Sequence, residues 1–217
     1  FRSQEMLTAE HWKWDRDQIQ VALSDLEQHE MAHLNDSGRY TLTELGRLIG
    51  QAGVEVESAV RLVEAIRPLK IGQINDPTII TLAQITTELD DVYLPINRKS
   101  TQKEPQRWMA ELRQQDVPED VITALRRSGQ DPVDATLRAK RAAACLLWIT
   151  DWTMNEIEDT LTQFYGRWNG AAGAIRQVAS RTNDLLGVVG RIVEILHPGA
   201  DLTGRVSRLL TRLETGV

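Results

Sequence analysis

The sequence predicts a mainly α-helical protein: a small unit of winged-helix type, that is, a helix-turn-helix with a short β-hairpin, leading into an all-α bundle. Three observations carry this. Apolar residues recur at helical spacing over most of the 217-residue chain. One short run, "MAHLNDSGRYTLT", alternates about a turn cluster. The later segments each begin or end on a capping signal.

In chain order, "RDQIQVALSDLEQHE" places Ile19, Leu23 and Leu26 on one helical face, with Ala22 alongside. "MAHL" and "RYTLT" then read as two short strands around Asn35, Asp36, Ser37 and Gly38, a turn-forming set. "TLTELGRLIGQAG" returns to helix, with Thr43 as its N-cap and Gly53 as its stop. "VEVESAVRLVEAIRPL" adds a helix that ends near Pro68. Helix, helix, hairpin, helix is the order of a winged helix, and its expected extent is residues 1–70.

Residues 71–217 read as helical bundle. Asn75, Asp76 and Pro77 form a cap-plus-proline start. "LPINRKSTQKEP" is a polar, basic loop. Helices are expected at 105–115, 118–128, 132–150, 153–164, 172–196 and 201–214, marked by Pro118, Asp131-Pro132, Thr153 and His197-Pro198-Gly199. The longest, 172–196, would span about 37 Å.

Bulk properties exclude several classes. Net charge is −6, which argues against a basic nucleic-acid coat but leaves room for a local basic groove. No apolar run approaches the roughly 18 residues of a membrane span, and the opening residues lack a signal-peptide core. The single cysteine, Cys145 in "RAAACLLW", permits no internal disulfide, fits a reducing cytoplasm, and reads as a buried structural thiol. Because the chain opens on Phe1 and ends on "RLETGV", a piece of a longer protein is expected.

His29-Glu30-Met31-Ala32-His33 spells HExxH, the zinc-protease pattern, which needs both histidines one turn apart on a continuous helix. The helical pattern runs only to about Leu26, and the 35–38 turn follows closely, so His33 is expected on a strand. The longer metzincin pattern would need glycine at 36 and histidine at 39, where the sequence has Asp36 and Arg39. No metal site is expected. A phosphate-binding GxxxxGK[ST] loop and a DExH-type motif are both missing from the sequence, so these 217 residues are not expected to hydrolyse ATP alone. No Ser/His/Asp or Cys/His arrangement stands out, and no catalytic residue is assigned.

Three stretches, "GRYTLTELGR", "ITTELDDVYL" and "AACLLWITDWTMNEIEDTLTQFYGRWNGAAGAIRQVASRTNDLLGVVGRIVEIL", together resemble the C-terminal half of the Ski-two-like superfamily-two helicases, the archaeal DNA repair type above all. In the first, Tyr40, Thr43, Leu45, Gly46 and Arg47 follow the family's wing and succeeding helix. The second resembles a helix that ends in an acidic pair before an extended loop. In the third, a helix ending in Trp148-Ile149 precedes an "xxEI" helix, a linker, and a long helix opening on a small residue and Ile175-Arg176. The likeness runs from about residue 17 to the end; its specificity lies in the order of three weak motifs.

The resemblance implies a ratchet domain at 71–217 that closes over single-stranded DNA, or RNA within the same family. Its long helix would lie across the bases, and strand movement (3′ to 5′) would be driven by motor domains upstream. ATP and Mg²⁺ would belong to those motor domains, and the local partner would be single-stranded or forked DNA. On helix 172–196, Ile175, Val178, Leu185, Val189, Ile192 and Leu196 are expected in the core. Gln177, Arg181, Asp184, Gly187 and Arg191 share another face, with Arg176, Ser180 and Asn183 beside it. Arginines attract phosphates and stack on bases, and Gly187 and Gly190 would let a strand approach the backbone. Where the family sets a basic residue and then a tryptophan seven positions on, this chain has Gln177 and Asp184, or Arg176 and Asn183 in a register slipped by one. Neither is aromatic. Trp168, in the linker before this helix, is a further candidate contact, and Arg138, Lys140 and Arg141 with Arg126 and Arg127 are candidates for a groove wall. Trp108 and Trp148 are expected in the core. The rival reading is a free-standing helix-turn-helix regulator with a helical dimerisation or effector domain.

Overall fold

The computed structural model describes residues 15–96, 103–150, 152–163 and 170–216. Trp168 and part of the basic loop after Ile96 lie outside the described residues. Among the described residues the protein is mainly α-helical, with one two-stranded antiparallel sheet. It divides into two compact units, residues 1–53 and 54–217.

The first unit contains α1 (Arg16–Gln28), β1 (Ala32–Leu34), β2 (Tyr40–Leu42) and α2 (Glu44–Ala52). Helix α1 starts at a reciprocal cap: Gln18 N donates to Asp15 Oδ1 at 2.7 Å, and Asp15 N donates to Gln18 Oε1 at 3.1 Å. It ends because Glu30 adopts a left-handed φ of 57°, so His29 caps the helix while His33 lies on β1, paired with Thr41. The two histidines of the HExxH word therefore share no helix, and His33 Nε2 lies 2.8 Å from Thr41 Oγ1 instead. Among the described residues no group of three or more His, Cys, Asp or Glu side chains is placed to hold a metal ion.

The hairpin turn is held by Asn35, whose Oδ1 accepts from Ser37 N and Arg39 N, with Gly38 at φ 70°. Thr43 caps α2, accepting from Gly46 N at 3.0 Å. Its hydroxyl also donates to Glu30 O at 2.7 Å, and its own N–H to Met31 O. Gly46 is obligatory here, since a Cβ would sit 1.9 Å from Met31 O.

The second unit is the bundle: α3 (Val56–Ile66), α4 (Asp76–Ala83), α5 (Lys103–Gln114), α6 (Glu119–Ser128), α7 (Pro132–Trp148), α8 (Met154–Thr162), α9 (Ala171–Leu196) and α10 (Thr203–Thr215), with 3-10 turns at Ile71–Gln73 and Thr87–Leu89. The expected division near residue 70 thus moves upstream to 53/54. The helix at Val56–Ile66 buries Ala59, Leu62, Val63 and Ile66 and packs against α4, α6 and α9, which makes it part of the bundle. Local chemistry starts three of these helices as the sequence implies. Asn75 caps α4 with Pro77 in its first turn, Asp131 caps α7 ahead of Pro132, and Thr153 forms a capping box with Glu156 on α8.

Helix α7 is surrounded by α4, α5, α6, α8 and α9, and twelve of its seventeen residues are buried. Cys145 is among them; burial pushes its thiol up to about 12, as befits a structural cysteine. Trp108 is fully buried and Trp148 half-buried, its Nε1 donating to Leu213 O at 2.8 Å. No helix among the described residues is long and apolar enough to cross a membrane.

Candidate nucleic-acid interface

Helix α9 runs for 26 residues, about 39 Å at 1.5 Å per residue. It follows Gly170, which has a left-handed φ of 113° and no capping side chain. The first turn is served instead by Glu158 of α8, whose carboxylate accepts from Ala172 N. This satisfies one of the orphan amides and sets a negative charge at the positive end of the helix dipole.

Its inner side is apolar and covered. Ile175, Val178, Leu185, Val189 and Ile192 are buried as expected, while Leu196 is only half-buried near the helix end. Thr182, also buried, accepts from Gln84 Nε2 at 2.7 Å. Helices α3, α4, α7, α8 and α10 pack around it, leaving one strip uncovered: Arg176, Gln177, Ser180, Arg181, Asp184, Gly187 and Arg191 are all exposed. These positions recur every three or four residues, so they form a continuous line along the helix.

The charged members differ in how far they are engaged. Arg176 makes no hydrogen bond or ion pair among the described residues. Arg181 reaches Glu88 O at 3.4 Å and lies 4.0 Å from Asp184. Arg191 pairs with Glu194 at 2.8 Å. Exposed pairs of this kind contribute little stability, so the guanidiniums can exchange partners cheaply. Asn183 leaves the line, its Nδ2 donating to Leu210 O at 2.7 Å across the α9–α10 contact. The two expected glycines divide in the same way. Around Gly187 a Cβ would meet nothing within 4 Å, whereas at Gly190 it would lie 2.7 Å from Val206 Cγ2. Gly190 therefore admits α10, not a strand.

Arg138 and Arg141 do not form a groove wall. They are 2% and 1% exposed, and both bind the same carboxylate: Arg138 Nη2 lies 2.6 Å from Asp90 Oδ2 and Arg141 Nη2 3.2 Å from Asp90 Oδ1. Arg138 also donates to Ile85 O and to Ser128 Oγ, and Arg141 to Val92 O. Burial holds both guanidiniums below the usual arginine range, and Asp90 offsets only part of that. Lys140 is equally enclosed. It meets Glu104 at 2.7 Å with both side chains 0% exposed, donates to Pro95 O, and lies 5.3 Å from the centre of the Trp108 ring. Burial lowers its ammonium, and Glu104 offsets only part of that. Arg126 and Arg127, by contrast, stay exposed.

What sequence reasoning missed is how segment 85–96 is anchored. Arg61, Arg138, Arg141, Lys140 and Arg181 all donate to its backbone carbonyls. A signal was present in "LRAKRAAACLL": basic residues inside a run of alanines have no polar face to occupy and need counter-groups from elsewhere in the chain.

No protein-family profile matches the chain, and none of the curated proteins is significantly similar to it.

Proposed function

We propose that the chain is the nucleic-acid-binding C-terminal part of an ATP-dependent 3′–5′ DNA helicase, in which α9 lies along single-stranded DNA and couples closure of the motor to strand movement. On this reading the α1–β1–β2–α2 unit is the winged helix and the bundle is the ratchet domain. ATP and Mg²⁺ act in motor domains that these residues do not include. The observation that carries the reading is the uncovered strip of α9, a 26-residue helix enclosed on its other sides by five helices. Charge supports it: six arginines against four carboxylates give residues 170–216 a net +2, where the whole chain carries −6.

A duplex-binding regulator draws no such support. Residues 15–53 hold seven carboxylates against three arginines, a net of −4, which opposes a polyanionic duplex.

Fluorescence anisotropy with a labelled single strand and the matching duplex tests the proposal. Sequence-tolerant binding to the single strand, weakening steeply as salt rises, is expected. Arg176→Ala and Arg181→Ala should each weaken it. Unchanged affinity in both removes α9 from the interface.

A further inference from the structure

We infer that Tyr93 supplies the base-stacking surface that α9 lacks, an inference that rests on the single-strand reading of α9. Helix α9 has no aromatic residue anywhere between Ala171 and Leu196, so its outer strip offers guanidiniums and amides but no ring. Tyr93 is 63% exposed, while its neighbours Val92 and Leu94 are 2% and 0% exposed. Successive side chains of an extended segment point in opposite directions, so burying those two holds the tyrosine outward.

The backbone on either side is fixed as well. Arg141 binds Val92 O at 3.3 Å, and Lys140 binds Pro95 O. An aromatic presented from an anchored backbone loses little entropy when a base settles on it. The acidic pair beside it is less repulsive to phosphate than the sequence suggests, because Asp90 is shared by two guanidiniums and that trio carries a net positive charge. Position also fits. Glu88 O accepts from Arg181 of α9, and the five residues from Glu88 to Tyr93 span at most about 18 Å. A strand lying on Arg181 can therefore reach the ring.

The test uses the full 217-residue chain and two fluorescein-labelled single-stranded DNAs of equal length, one of them carrying abasic sites throughout. Tyr93→Ala should weaken binding to the normal strand between about 5-fold and 150-fold, the range for losing one stacked base. Tyr93→Phe should bind like the parent, and the alanine penalty should vanish on the abasic strand. Equal melting temperatures for all three proteins check that the fold is intact. If Arg181→Ala weakens binding but Tyr93→Ala does not, the inference fails and the α9 reading stands. An equal penalty on both strands also overturns it, since the ring would then act on something other than bases. If the parent binds neither strand, both readings fall.

Discussion

Helices α7 and α9 each carry basic residues in a background of small and apolar ones, but α7 turns Arg138, Lys140 and Arg141 inward while α9 turns Arg176 and Arg181 outward. Composition does not separate them; coverage does. Neighbours close around most of α7, so each of these buried cations must be neutralised inside, by Asp90, Glu104 or a carbonyl. The neighbours of α9 leave one side open, and its cations stay exposed. A basic helix is thus an exposed face or an internal scaffold according to what packs on it.

Four experiments sharpen this contrast, in descending order of effect. Glu104→Ala removes the carboxylate paired with the Lys140 ammonium in the core and should cost about 3–5 kcal/mol in chemical denaturation, much of it restored by adding Lys140→Met. A small effect would mean the ammonium finds water, and that α7 is less enclosed than described. Asp90→Ala removes the shared counter-charge of Arg138 and Arg141. Because the Asp90 side chain is 45% exposed, the expected loss is smaller, about 2 kcal/mol. Arg176→Ala and Arg181→Ala should leave stability within about 0.5 kcal/mol while each lowers the salt slope of single-strand binding by about 1. A stability loss matching that of Asp90→Ala would erase the difference between the two helices. The fourth concerns an exposed ion pair, Arg113 with Glu119 at 2.7 Å. The Arg113 hydrogen bond holds the Glu119 carboxyl below its ordinary 4.5. Any stability it contributes is therefore present above that value and fades as pH falls through the folded-state titration. Arg113→Ala should raise the Glu119 titration, followed by NMR, toward the ordinary carboxylate range, with only a slight change in acid unfolding.

The sequence made helix starts legible because a cap is decided within four residues: Thr43, Asn75, Asp131 and Thr153 each bond a backbone amide two or three positions ahead. The hairpin at Asn35 to Gly38 and the break between His29 and His33 were readable for the same reason. So was the outward strip of α9, since a buried stripe at helical spacing implies its opposite face. The facing of Arg138 and Arg141 was not. Their carboxylate lies 48 and 51 residues away along the chain, so the alanine background of α7 signals burial without naming the partner. Gly190 is a similar case: only the approach of Val206 separates it from Gly187. The extent of the first unit was misjudged because α3 looks like any amphipathic helix until α6 and α9 are seen against it.

The anchoring of segment 85–96 has a mechanical consequence. Donors from α3, α7 and α9 grip carbonyls along one short stretch, so tension applied to it is borne in parallel and no single hydrogen bond carries the load. A pull on this segment is thus shared among three helices. Whatever leans on it is in effect leaning on the whole bundle.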